Sequence, residues 1–189
     1  MTPRTSGKRV PRPLDRARIE ELALAYVARF ATSQAKLEAY LLRKLRERGW
    51  EGEGDPGVAG IAARMAAAGY VDDLAYARAK SGNLLRRGFG ERRVGQALAA
   101  AGIDADVREE VRAGVGQQRR AALALARKRR FGPFGVVAPE RAVREKQLAA
   151  MLRAGHPLDS ARELVNAASI AAAEEWAAGV DGEEDDACD

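Results

Sequence analysis

Apolar side chains in this chain recur at three and four residues, and a glycine or proline closes most such stretches. A period near 3.6 gathers those side chains on one face of a helix, whereas a strand needs alternation at two, which is scarce here. The chain is therefore read as all-α. Asp15 can cap a first helix that buries Ile19, Leu22, Tyr26 and Phe30. Ser33 can cap a second, with Leu37, Leu41 and Leu45 on one stripe and Gly49 as its stop. In "DPGVAGIAARMAAAGY", Asp55 is the expected cap, Pro56 the first helical residue and Gly69 the stop. A fourth helix starts after Val71 and Asp72 and runs to Arg87, and a fifth covers 90–101, ended by Gly102. Asp104 can cap a sixth carrying Val107, Val111 and Val115, and a seventh covers 117–130. "FGPFGVVAP" is a break, followed by helices over 140–154 and 158–168, the last extending toward Trp176.

Three of these helices end alike. "LLRKLRERGW", "RRVGQALAAAGI" and "EKQLAAMLRAGH" finish at Gly49, Gly102 and Gly155, spaced 53 and again 53 residues apart. Nine helices divide into three units of three, which is a repeat signal. A unit this small buries little alone, and stacking units extends the core. The expected architecture is an elongated, curved array of three tandem three-helix repeats over 15–70, 71–116 and 117–178. A disordered basic arm over 1–14 and a disordered acidic tail over 179–189 flank it.

Charge is unevenly placed. Asp181 to Asp189 holds six acids and no Lys or Arg, so residues 1–180 carry 32 basic against 21 acidic groups, a net of +11. A basic body suits nucleic acid or an acidic protein surface. Cys188 is the single cysteine, so no disulfide can form within the chain, and a reducing cytoplasm is the expected location. No stretch approaches the roughly 18 apolar residues that suggest a membrane helix, and the N-terminal stretch lacks the apolar run of a signal peptide.

"LLRRGFGERRVGQAL", from Leu84 to Leu98, sets Gly88 and Gly90 on either side of Phe89, among four arginines and ahead of Gly95. A P-loop would place Lys and Ser or Thr after its last glycine, where Gln96 and Ala97 stand. A dinucleotide fingerprint needs a preceding strand, where a helix is expected. The stretch reads as a corner, with Gly88 ending one helix, Phe89 entering the core and Gly90 opening the next, whose amides could still hold an anion. A helix-turn-helix is the other reading, with Arg92 and Arg93 starting the second helix, although Ala99 and Ala100 offer little for reading bases. The paired acids Asp72 and Asp73 suit a helix start, Asp72 as cap and Asp73 in the first turn, better than a metal site without a third ligand. His156 is read as a helix-end residue, and "ARKRRFGPF" as either a nucleic-acid patch or a charged last helical turn. With no nucleophile, base or metal constellation, the reading is of a non-enzymatic protein without cofactor or small-molecule substrate.

The block "GYVDDLAYARAKSGNLLRRGFGERRVGQALAAAGID" resembles the central signature of the RecX family. Gly69-Tyr70, Asp72-Asp73, Tyr76-Ala77-Arg78, Arg87-Gly88-Phe89-Gly90, Arg93-Val94 and Leu98 with Gly102 stand where that pattern has its marks. The likeness extends from Leu22 to Val115 and is weaker in the third unit. Lys80 stands where many members carry Trp. The resemblance implies tandem three-helix repeats and a negative modulator of the RecA recombinase; separately, a monomer is the expected state. Such a protein lies in the groove of the RecA filament on single-stranded DNA and restrains its extension, ATP hydrolysis, strand exchange and co-protease activity. The alternative is an autonomous, repressor-like DNA-binding protein. Arg78, Lys80, Arg86, Arg87, Arg92, Arg93, Arg127 and Lys128 are the expected contacts to the RecA filament or DNA phosphate. Gly69, Tyr70, Asp72, Asp73, Phe89, Gly90, Leu98 and Gly102 are the expected structural signature.

Overall fold

A computed structural model describes residues 12–137 and 139–179. The expectations of a basic arm and an acidic tail fall largely on 1–11 and 180–189, outside the described residues. The regular elements among the described residues are all helical. They fall in two compact units, Met1–Asp73 and Leu74–Asp189.

The first unit holds α1 (Arg16–Val27), α2 (Gln34–Arg48) and α3 (Val58–Ala67). Asp15 accepts the Arg18 amide at 2.8 Å, and Ser33 accepts the Lys36 amide at 3.3 Å. Both caps satisfy first-turn donors that have no partner within the helix. Ile19, Ala23, Leu37, Leu41 and Ile61 are fully buried, with Leu22, Tyr26 and Leu45 packed around them. The expected stripe holds as far as Tyr26. Phe30 departs from it, because α1 stops at Val27 and leaves that ring 55% exposed, 5.2 Å from Tyr26. The third helix also starts later than Pro56. Asp55 accepts the Gly57 amide at 2.6 Å in a tight turn, and Gly57, at φ 65°, is the residue before the helix. Leu14, assigned to the arm by sequence, is fully buried. Its amide donates to the Gly49 carbonyl at 3.0 Å, and its carbonyl accepts from the Glu51 amide at 2.9 Å.

The second unit contains nearly all of α4 (Asp73–Arg86), then α5 (Glu91–Ala99), α6 (Ala105–Glu110) and α7 (Val115–Arg129). A 3₁₀ turn at Gly132–Phe134 leads to α8 (Arg141–Arg153), α9 (Leu158–Asn166) and α10 (Ile170–Ala178). Two apolar clusters form here. Ala77, Val94, Leu98, Ala101 and Ile103 join α4, α5 and the turn to α6. Ala122, Ala126, Met151, Leu164, Val165 and Ala173 join α7 to α10. Two expectations need correction. Val115 opens α7, half exposed, rather than extending the stripe of α6. The last helix divides, because Ser169 accepts the Ala172 amide at 3.1 Å and starts α10 afresh. The group from α7 onward therefore has four α-helices where three are expected.

Candidate functional site

The stretch Leu84–Leu98 is a corner, and Gly88 and Gly90 are held from both sides. Gly88 ends α4 with φ 86°. Its amide donates to the Leu85 carbonyl at 2.8 Å, and the Phe89 amide donates to Leu84 at 3.1 Å. These bonds close the helix end around a left-handed residue. Gly90 then opens α5 and donates its amide to the Ala154 carbonyl at 2.9 Å, where α8 finishes. A Cβ on Gly90 would sit 2.4 Å from the Gly155 carbonyl carbon and 2.5 Å from the His156 nitrogen, both backbone atoms. Only glycine lets these two segments approach so closely.

His156 completes the lock. It is buried, with Nε2 3.0 Å from the Gly88 carbonyl. Burial pushes its pKa below the ordinary 6.5, against the opposing pull of the Gly88 hydrogen bond. The neutral ring donates from Nε2 to that carbonyl. Arg92, exposed, donates to the Leu152 carbonyl at 2.5 Å. The corner between α4 and α5 is thus fixed to the end of α8. The Gly90 amide is already used, which removes it from the anion-holding reading. A recognition helix must insert its N-terminal turn into a DNA groove, and here that turn of α5 rests on α8.

The expected contact residues separate into bound and free. Arg78 pairs with Glu110 at 2.8 Å, and Arg127 pairs with Glu174 while its guanidinium lies 5.6 Å from the Phe134 ring. Arg93 is exposed and reaches the Gln96 side-chain oxygen at 3.5 Å. Lys80 is half-buried, and Arg86 is exposed beside Arg120 at a cavity of about 370 Å³. Arg87 and Lys128 come together instead, at a cavity of about 490 Å³. Arg129 and Arg153 line the same cavity, as do Phe89, Phe131 and Leu125. Phe89 is therefore not the core residue expected from sequence. It is half-buried, one wall of this cavity, with the Arg87 guanidinium 5.5 Å over its ring. Sequence reasoning misses Arg129, Phe131 and Arg153 as part of one site. The signal for the first two is the cluster "ARKRRF".

A second cavity, of about 670 Å³, has mixed charge, with Arg92, Arg108 and Arg112 beside Glu91 and Glu109. Burial raises the Glu91 carboxyl above its ordinary range, opposed by the Ala113 amide at 3.3 Å and by Arg112. Among the signature residues, Leu98 is buried, Gly69 and Gly102 have φ 77° and 72°, and Tyr70 is 58% exposed. Asp72 directly precedes α4. Asp73 accepts the Gln34 amide at 2.8 Å and so serves the start of α2. Among the described residues no cluster of three His, Cys, Asp or Glu could hold a metal ion, and no helix is long and apolar enough to cross a membrane.

Residues 72–111 match a family model described as the second three-helix domain of RecX. The Regulatory protein RecX of Myxococcus xanthus is 30% identical over 169 residues, covering 85% of this chain and 90% of that protein. The Regulatory protein RecX of Deinococcus radiodurans is 38% identical over 112 residues, covering 58% of this chain and 52% of the relative. The fold is similar to that of RecX from Lactobacillus salivarius. The TM-score is 0.61 at 18% identity, over 79% of this chain and 93% of that structure. With the signature corner in place and the Myxococcus relative matched over nearly its whole length, this chain belongs to the RecX family of regulatory proteins.

Proposed function

We propose that the chain is a negative modulator of the RecA recombinase, acting in the cytoplasm as a monomer. It binds the RecA filament on single-stranded DNA and restrains extension, ATP hydrolysis, strand exchange and co-protease activity. The observation that carries the reading is the corner carrying the family's signature. It is fixed at its glycines, and it presents Arg87 beside Lys128 to solvent, neither of them ion-paired among the described residues. A filament groove offers acidic side chains and DNA phosphate together, and unpaired cations on a rigid base are suited to both. Contacts to neighbouring filament subunits reinforce one another through effective concentration. Preference for one filament geometry then changes ATP turnover without any chemistry by the regulator. Co-sedimentation tests the reading. The protein should pellet with RecA assembled on single-stranded DNA and stay in solution with RecA alone. Equal pelleting in both cases would refute filament recognition.

A further inference from the structure

We propose that the acidic stretch Asp181–Asp189 is a ligand of its own chain, and that its seat is the cavity between α4 and α7 lined by Arg86 and Arg120. An acidic partner that takes this surface must first displace the stretch. The proposal goes beyond the filament reading and does not depend on it.

The fold delivers the stretch to that cavity. Arg119 donates to the Trp176 carbonyl at 3.1 Å, and its guanidinium lies 5.0 Å from the Trp176 ring. The last turn of α10 is therefore pinned to the second turn of α7, and the chain leaves α10 at Gly179, three residues after Trp176. Arg120 is the next residue on α7, and it lines the cavity of about 370 Å³ together with Arg86 of α4. Both arginines are exposed. From Asp181 the stretch has nine residues, which extended span about 30 Å, ample to cross from the end of α10 to both arginines.

Charge and size agree with this placement. The stretch carries six acids and no Lys or Arg, and no acid lines the cavity. The bland account of a surface arginine is compensation of a helix C-terminus, and it covers Arg86, in the last turn of α4. It does not cover Arg120, which stands near the positive, N-terminal end of α7, a helix with no acid in its first turn. That end of α7 favours carboxylates, and the chain supplies them from beyond α10. Gly82, Ala121 and Ala124 give the cavity low walls. Between its acids the stretch has only Gly182, Ala187 and Cys188, so no bulky side chain keeps its backbone from the groove. Tethering adds the rest, because a short connection raises the local concentration of the acids to about 1 mM.

The test uses the full-length protein without RecA. Cys188, the single cysteine, takes a nitroxide label, and the amide signals are followed by NMR. In about 0.1 M salt the label should broaden Gly82, Gln117 and Arg120 and leave Arg141 and Lys146 on α8 sharp. In about 1 M salt, where the screening length falls to about 3 Å, the broadening should collapse. Arg86→Gln with Arg120→Gln should abolish it at low salt, whereas Arg141→Gln with Lys146→Gln, an equal loss of charge, should not. A label merely tethered near α7 would broaden the same amides in both salts and in both variants, and that result overturns the proposal. Equal loss in the two variants overturns it as well, since the attraction would then belong to the whole surface. Displacement is read with a fluorescent peptide copy of Asp181–Asp189 added in trans. It should bind about tenfold more tightly once the six acids of the chain are changed to amides, the ratio of about 1 mM effective concentration to a peptide Kd of about 0.1 mM. Equal affinity before and after that change would overturn the competition.

Discussion

Two glycines in α5 and its cap have opposite roles, although they stand five residues apart. A Cβ on Gly90 would meet backbone at 2.4 Å, while one on Gly95 would have nothing within 4 Å. Gly90→Ala forces the corner off α8 and should cost at least about 1–3 kcal/mol, the usual range for overpacking. Gly95→Ala should stabilise by about 0.8–1 kcal/mol through helix propensity alone. Urea midpoints for the two variants check both signs. His156 makes the same junction sensitive to acid. Its folded pKa lies below the ordinary 6.5, so the unfolded chain takes up the proton more readily. The stability held by neutral His156 is complete above 6.5 and is lost as pH falls below it toward the folded pKa. His156→Gln should flatten that part of the stability profile, read from unfolding midpoints between pH 7.5 and 5.

Helix ends account for most of what the sequence can and cannot reveal. Caps such as Asp15 and Ser33 announce themselves because one side chain next to a periodic stretch determines the outcome. Gly102 and Gly155 do so for the same reason. The start of α3 is hard to place because Pro56 is equally suited to the turn that Asp55 and Gly57 make before it. Between α9 and α10 no glycine or proline marks the break, and only Ser169 signals it. Asp73 is legible as a first-turn acid of α4, but its bond to Gln34 lies 39 residues away and no local pattern could show it. Asp73→Ala should cost about 0.5–2 kcal/mol, and Asp73→Asn, which keeps an acceptor, should cost much less. Calorimetry on both distinguishes that capping role from a purely electrostatic one. Arg130 ends α7 at φ 56°, where an L-residue is strained and neighbouring ends use glycine. Arg130→Gly should stabilise by about 0.5–1 kcal/mol, since relief of that strain outweighs the added chain entropy. A lower melting temperature would contradict this.

At the scale of the whole molecule, the class is legible in the sequence and the working surface only half so. Periodicity and glycine stops identify an all-helical repeat protein, because each repeat writes its pattern locally. The cationic cavity draws on the corner after α4 and on α7 and α8, which no spacing rule connects. Arg92 shows why exposure alone is a poor guide. Sequence places it among the contacts to a partner, yet it spans to the Leu152 carbonyl and so also holds the junction. Charge reversal is therefore best made at Arg87 and Lys128, which are exposed and carry no such bond. The most direct measurement follows ATP hydrolysis by RecA on single-stranded DNA as this protein is added. The wild-type chain should suppress turnover in a saturable way, and a folded Arg87→Glu, Lys128→Glu variant should suppress it far less. Turnover unaffected by the wild-type chain at saturating concentration would contradict the account, and equal suppression by the variant would move the contact surface elsewhere.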